Sequence, residues 1–181
     1  MRDIWFFSDH HFLQESILHF TLQCGTKVRP EFSSLDEMNE TLIERWNASI
    51  KPQDIVWHGG DIAYDWKNFK EHILPRLNGK LRIVLGNHDD AFDLVHSKRF
   101  EKIVAIRRFD EFGFHYSHLP VQVDSLWNWK LKKTMVNVHG HIHRHNSPPG
   151  PYMNVSVEKT DYRPLHLDEI RERIKVFDGQ H

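Results

Sequence analysis

Short apolar runs recur along the chain, and each closes on a cluster of polar residues. Ile4 to Phe7 ends in Ser8-Asp9-His10-His11, and Ile55 to Trp57 ends in His58-Gly59-Gly60-Asp61. Leu81 to Leu85 ends in Gly86-Asn87-His88-Asp89-Asp90, and Met135 to Val138 ends in His139-Gly140-His141-Ile142-His143. Continuous apolar runs of this length predict strands buried on both faces. Between them the spacing becomes helical. Ser34 and Glu37 form a capping-box pair, and Leu35, Met38, Leu42 and Trp46 follow on one face. Trp66, Phe69, Ile73 and Leu77 predict a second helix closed by Asn78-Gly79, with Pro75 imposing a kink or an early end. Strands alternating with helices predict parallel pairing and an α/β fold.

The second half changes character. Lys102 to Ile106 and Phe112 to Tyr116 alternate with period two and predict two strands that pair with each other. Residues 124 to 133 read as a loop, Asn154 to Val157 as a further strand, and a last helix follows Leu167 with Asp168 as its cap. No internal repeat or low-complexity linker interrupts the chain, so residues 1–181 read as one domain, large enough to bury a core.

Composition changes this picture little. The 24 lysines and arginines nearly balance 25 acids, for a formal net charge of -1, which argues against a dedicated electrostatic binder of nucleic acid. The basic stretch Lys130 to Lys133, near Trp127 and Trp129, is local. One cysteine, Cys24, allows no intrachain disulfide and points to a reducing, cytoplasmic setting. It reads as a half-buried small residue. The amino terminus lacks a signal-peptide pattern, and no apolar run approaches the roughly 20 residues of a membrane span. The unusual figure is 15 histidines, scattered rather than grouped at one end. They raise the question of a metal.

Ligands of open α/β sheets bind beyond the carboxyl ends of the strands, and four such ends here carry Asp, His and Asn. Asp9-x-His11 alone is a weak signal, since Asp9 could cap a helix. His141-x-His143 is stronger, because alternate residues of an extended segment point the same way. Taken in order, Asp9-x-His11, Gly60-Asp61, Gly86-Asn87-His88-Asp89, Ser117-His118-Leu119-Pro120 and Gly140-His141-Ile142-His143 resemble the motifs of the calcineurin-like metallophosphoesterases. Similarity to a branch of small single-domain members extends to Met38-Asn39-Glu40, Trp46-Asn47, Arg76 to Lys80, and Asn154 to Val157 with Tyr162-Arg163-Pro164.

The resemblance implies an α/β sandwich of two central mixed sheets flanked by helices. It also implies two divalent ions, Mn foremost and Fe, Zn or Ni as alternatives. Asp9, His11, Asp61 and His143 would hold one ion, and Asp61 would bridge to a second held by Asn87, His118 and His141. A metal-bridging hydroxide would attack a small phosphodiester or phosphomonoester, nucleotide-like in character. Gly86 would let the backbone turn. His88 would act on the substrate side as the catalytic residue, with Asp89 orienting its ring. Asp90 reads as a solvated turn residue. His10 reads as packing or lying near the substrate rather than binding metal, His58 as a buried hydrogen-bonding residue or a support behind the ligands, His115 and His139 as structural, His145 as a surface residue, and Asn154 as lining the site or organising a turn. Gly59 departs from the branch, where a larger apolar residue is usual. Two rivals remain: a nuclease that grips single strands through Lys130 to Lys133 and the two tryptophans, and a non-catalytic module whose metals only hold the fold.

Overall fold

The computed structural model describes residues 2–178. The predicted first strand is β1 (Ile4–Phe7), followed by α1 (Leu35–Ser49), β2 (Ile55–His58), α2 (Trp66–Asn68) and β3 (Lys80–Val84). Then come α3 (Ala91–His96), β4 (Phe100–Val104), β5 (Ile106–Phe109), β6 (Phe114–Ser117), β7 (Trp127–Asn128), β8 (Lys133–Thr134), β9 (Val136–His139), β10 (Tyr152–Asn154), β11 (Leu165–His166) and α4 (Leu167–Asp178). The first sheet runs β11-β1-β2-β3-β4, parallel except for β11; the second runs β10-β9-β6-β5, parallel except for β5. Two mixed sheets therefore stack with helices on the outside, the expected metallophosphoesterase-type α/β sandwich.

Alternate residues of the first sheet explain the layers. Phe7, Val56, Leu81 and Ile83 face α1 and the wider turns that continue α2 through Ile73, meeting Met38, Leu42, Trp46, Phe69 and Ile73. Phe6, Trp57 and Val84 face the other way, against Phe114, Tyr116, Val136 and Val138 of the second sheet. Full burial of Met38, Leu42 and Trp46 stabilises the α1 contact by about 1.5–3 kcal/mol per side chain.

Local details modify the sequence expectations. Ser34 caps α1 by accepting the Glu37 N–H at 3.2 Å, but the Glu37 carboxylate reaches back one residue further, to Ser33 N at 2.8 Å and Ser33 Oγ at 2.6 Å. The second helix widens after Asn68 and tightens around Pro75, ending at Arg76, as the proline requires. Lys102 to Ile106 is divided. β4 pairs with β3 in the first sheet, and β5 starts at Ile106 and pairs with β6 in the second. The expected loop at 124–133 holds a small hairpin of β7 and β8. The strand expected at 154–157 lies earlier, at β10, and Val157–Lys159 forms a tight helical turn. Asp168 lies inside α4 rather than capping it; the His166 ring accepts its N–H at 3.3 Å. Asp90 caps α3, accepting from Phe92 N at 2.7 Å, a helix the sequence reading lacked. Cys24 is exposed, not half-buried.

Candidate metal centre

The parallel strands β1, β2 and β3, with β6 and β9 of the second sheet, all run toward one end of the sandwich, and the polar clusters meet there. Donor atoms of Asp9, His11 and His143 lie within 4.8 Å of one another, and so do those of Asp61, His118 and His141. Between the groups, Asp61 Oδ2 stands 3.6 Å from His11 Nε2 and 3.3 Å from His118 Nε2. Asn87 Oδ1 is 2.9 Å and His141 Nδ1 3.2 Å from the same His118 nitrogen.

The turns behind these side chains are tight. Asp9, His11, Asp61, His141 and His143 all adopt positive φ, between 47° and 69°, the left-handed region that non-glycine residues rarely occupy. His141 and His143 thus sit in a turn and not in an extended segment, and each joins a different donor group. Gly86 serves close approach rather than turning: a Cβ there would strike Asp61 Oδ1 and the Asp61 amide. At Gly140 a Cβ would strike Ser8 and Asp9 side chains. At Gly59 the space left empty by a missing side chain is taken by Tyr116, whose hydroxyl donates to Phe7 O at 2.9 Å.

Three of the four imidazoles are aimed by their second nitrogen. His11 Nδ1 bonds Gln14 Oε1 at 2.6 Å, His143 Nδ1 bonds Glu158 Oε1 at 3.0 Å, and His118 Nδ1 bonds Gly59 O at 2.8 Å. All three acceptors fix the proton on Nδ1 and turn the lone pair of Nε2 inward. His11 Nε2 is buried without a hydrogen-bond partner, and burial holds its ring neutral, with the pKa down to about 3. An orphaned lone pair among carboxylates and imidazoles is the donor chemistry a divalent cation needs, so the residues fit the metal. The site electrostatics favour anionic carboxylate at the centre: burial alone would raise Asp61, but the His118 hydrogen bond and charge, with His11, hold it well below the usual range. Asp9 is raised, chiefly by burial, while accepting the His141 N–H at 2.9 Å and the Ser156 hydroxyl at 3.0 Å. It caps no helix.

The predicted residues divide clearly. Asp9, His11, Asp61, Asn87, His118, His141 and His143 are brought together. His88 is solvent-exposed beside them, its ring 5.4 Å from that of His11 and its N–H donated to Asp61 Oδ1 at 2.9 Å. Asp89 does not orient His88. Its carboxylate accepts backbone N–H groups of Asp61 and Gly86 at 2.8 Å and of Ile62 at 3.0 Å, because it is drawn into the turn between strand ends. His10 and His58 form a buried pair at 2.8 Å; His145 is exposed; Asn154 organises a turn, donating to His143 O at 2.7 Å.

Sequence reasoning missed the supports. Arg29, fully buried, donates to Asp9 O at 2.5 Å, His10 O at 2.8 Å and Glu158 Oε1 at 2.8 Å. Glu158 in turn holds His143. Arginine cannot shed its charge, so burial demands such partners. Burial would raise Glu158, but Arg29 and His143 hold it down, at about 2. No spacing rule connects positions 29 and 158, and the only signal was the need of a metal-ligating histidine for an acceptor.

Comparisons with known proteins bear on the family and the fold. The chain is 31% identical over 184 residues to an uncharacterised protein of Methanocaldococcus jannaschii, covering 97% of this chain and 93% of that one. It is 26% identical over 170 residues to the Gene 66 protein of Mycobacterium phage L5, covering 79% and 78%. The crystal structure of a protein of unknown function from Aquifex aeolicus shares the fold, with a TM-score of 0.69, 23% identity, and coverage of 96% of this chain and 100% of that one. The model of the calcineurin-like phosphoesterases matches residues 2–177. With nearly its whole length matched and the donor residues of its strand ends gathered at one place, the chain belongs to the calcineurin-like phosphoesterase family.

Proposed function

We propose that the chain is a dinuclear-metal phosphoesterase that hydrolyses a small phosphodiester or phosphomonoester, nucleotide-like in character. The observation that supports two ions is the position of Asp61, whose Oδ2 faces a ring nitrogen from each donor group, His11 Nε2 at 3.6 Å and His118 Nε2 at 3.3 Å. A carboxylate can span two cations, and imidazole suits Mn, Fe, Zn and Ni, of which Mn is our choice. Two such ions would polarise the phosphoryl group and supply a hydroxide nucleophile near neutral pH. Asp9, His11 and His143 would hold one, and Asn87, His118 and His141 the other, with Asp61 shared.

The chain's own residues do the rest. The neutral Asn87 oxygen limits negative charge around the ions and so keeps the site attractive to an anionic ester. Gln14, Glu158 and the Gly59 carbonyl orient the rings of His11, His143 and His118 before the cations enter. His88, exposed at the mouth, is placed to stabilise charge on phosphoryl oxygens or to protonate the leaving oxygen. Hydrolysis of aryl phosphodiesters and monoesters by Mn-loaded protein tests the reading; a loaded protein inert to both defeats it. One observation favours a nuclease instead. The β7–β8 hairpin presents Trp127 and Trp129, the latter 84% exposed, as surfaces on which bases could stack.

A further inference from the structure

Beside the donor cluster opens a cavity of about 330 Å³. Asn87 and His118 belong both to its wall and to the second donor group. Facing them are Leu85, Ile106, Leu119 and Val121, and no lysine, arginine, aspartate or glutamate lines the space. Several polar atoms of this wall are already in use. Ser117 Oγ donates to Leu119 O at 2.7 Å, Val121 N donates to Asn137 Oδ1 at 2.8 Å, and the Tyr152 hydroxyl donates to Val121 O at 2.8 Å. These bonds pin residues 117–121 to β9 and β10, so the cavity is formed before anything enters it, and its outer surface is hydrocarbon. Ile106 and Leu119 stand 52% and 49% exposed at its edge.

We propose that this cavity receives the uncharged, ring-sized organic group of the phosphoester whose phosphoryl group lies at the donor cluster; the inference rests on the phosphoesterase reading above. Continuity supports it, because Asn87 and His118 belong both to the cavity wall and to the donor cluster. Charge narrows the occupant. With His118 given over to the donor cluster, no charged side chain in the wall remains to neutralise a second phosphate, so a polyphosphate or a nucleic-acid strand gains nothing by entering. Size agrees: a closed apolar cavity of about 150 Å³ already holds benzene. The occupant is thus an aryl group or a nucleobase-like ring, recognised by shape and apolar contact.

Calorimetric titration of Mn-loaded protein with phenylphosphonate and with methylphosphonate separates the cavity from the metal centre, since the two carry the same head group. Phenylphosphonate should bind about tenfold tighter or more, from burial of its ring. Ile106→Glu should bring the two affinities to within about twofold, because the ring loses its apolar wall, while Mn binding persists. Equal affinities in the wild type, or a preference that survives both Ile106→Glu and Leu119→Glu, overturn the cavity inference and leave the phosphoesterase reading standing. Binding of neither phosphonate overturns both.

Discussion

Asp89 accepts the backbone N–H of Asp61 at 2.8 Å, so a carboxylate from the loop after β3 holds the turn that delivers the central carboxylate after β2. The same oxygen accepts Gly86 N at 2.8 Å, and its partner oxygen accepts Ile62 N at 3.0 Å. An amide at this position must turn an NH2 toward at least one of those donors. Asp89→Asn should therefore lower stability by about 1–3 kcal/mol and weaken Mn binding. Urea unfolding of the metal-free protein and Mn titration measure the two effects. No change in either would return Asp89 to a role beside His88.

His88 makes a different prediction, because its ring holds no place in either donor group. His88→Ala should keep its metal and lose about 10²–10⁴-fold in turnover. Asn87→Ala and Asp61→Ala should instead lose metal. Elemental analysis beside kcat decides; a His88→Ala protein that loses metal yet keeps its activity per bound ion would show the roles to be wrongly assigned.

Glu158 separates support from chemistry. Glu158→Ala leaves the Arg29 guanidinium buried without its carboxylate, at a cost of about 3–5 kcal/mol. Glu158→Gln keeps an oxygen for the His143 Nδ1–H and should fold better, with metal affinity reduced about 10–100-fold. Denaturant midpoints and Mn titration of both variants test this ordering, and equal stabilities would refute it.

Metal binding should be coupled to pH. In the metal-free chain burial pulls His118 down, but the Asp61 hydrogen bond, the charges of Asp9 and Asp61 and the Gly59 carbonyl outweigh it and hold the pKa up at about 9. The ring is then protonated at neutral pH, and a cation at Nε2 must displace that proton. Apparent affinity should rise with pH by about tenfold per unit for this one proton and level off above about pH 9. Calorimetry in buffers of different ionisation enthalpy counts the protons released; none released at pH 7 would contradict the prediction.

The nuclease rival has its own test. If bases stack on the hairpin, Trp129→Ala should weaken single-stranded DNA binding by about 1–3 kcal/mol, and wild-type binding should fall steeply with salt. Absence of micromolar binding at low salt removes that rival.

The meeting of the polar clusters from Asp9 to His143 was legible because parallel strands bring their carboxyl ends to one edge, so a motif at each end is a motif at one place; which residues would be ligands came from the resemblance. Alternation of strands and helices gave the α/β class, and the resemblance to the calcineurin-like metallophosphoesterases implied the sandwich. Neither could show that Lys102 to Ile106 splits between two sheets, since Ala105 carries no turn signal and both halves keep a strand-like pattern. Nor could they find Arg29 and Glu158. Their partnership spans 129 positions and comes from burial, which a linear pattern does not record. Asp89 was misread for a related reason: next to His88 in sequence, it spends its oxygens on amides across the loop.

The left-handed turns at Asp9, His11, Asp61, His141 and His143 have a consequence for engineering. Aspartate, asparagine and histidine are the side-chain-bearing residues most at ease in that conformation. An alanine scan at these positions would therefore mix two injuries, a lost donor atom and a backbone pushed toward a shape it resists. Asparagine at Asp9 or Asp61 would change the donor while sparing the turn, so it is the cleaner replacement for dissecting coordination from loop geometry.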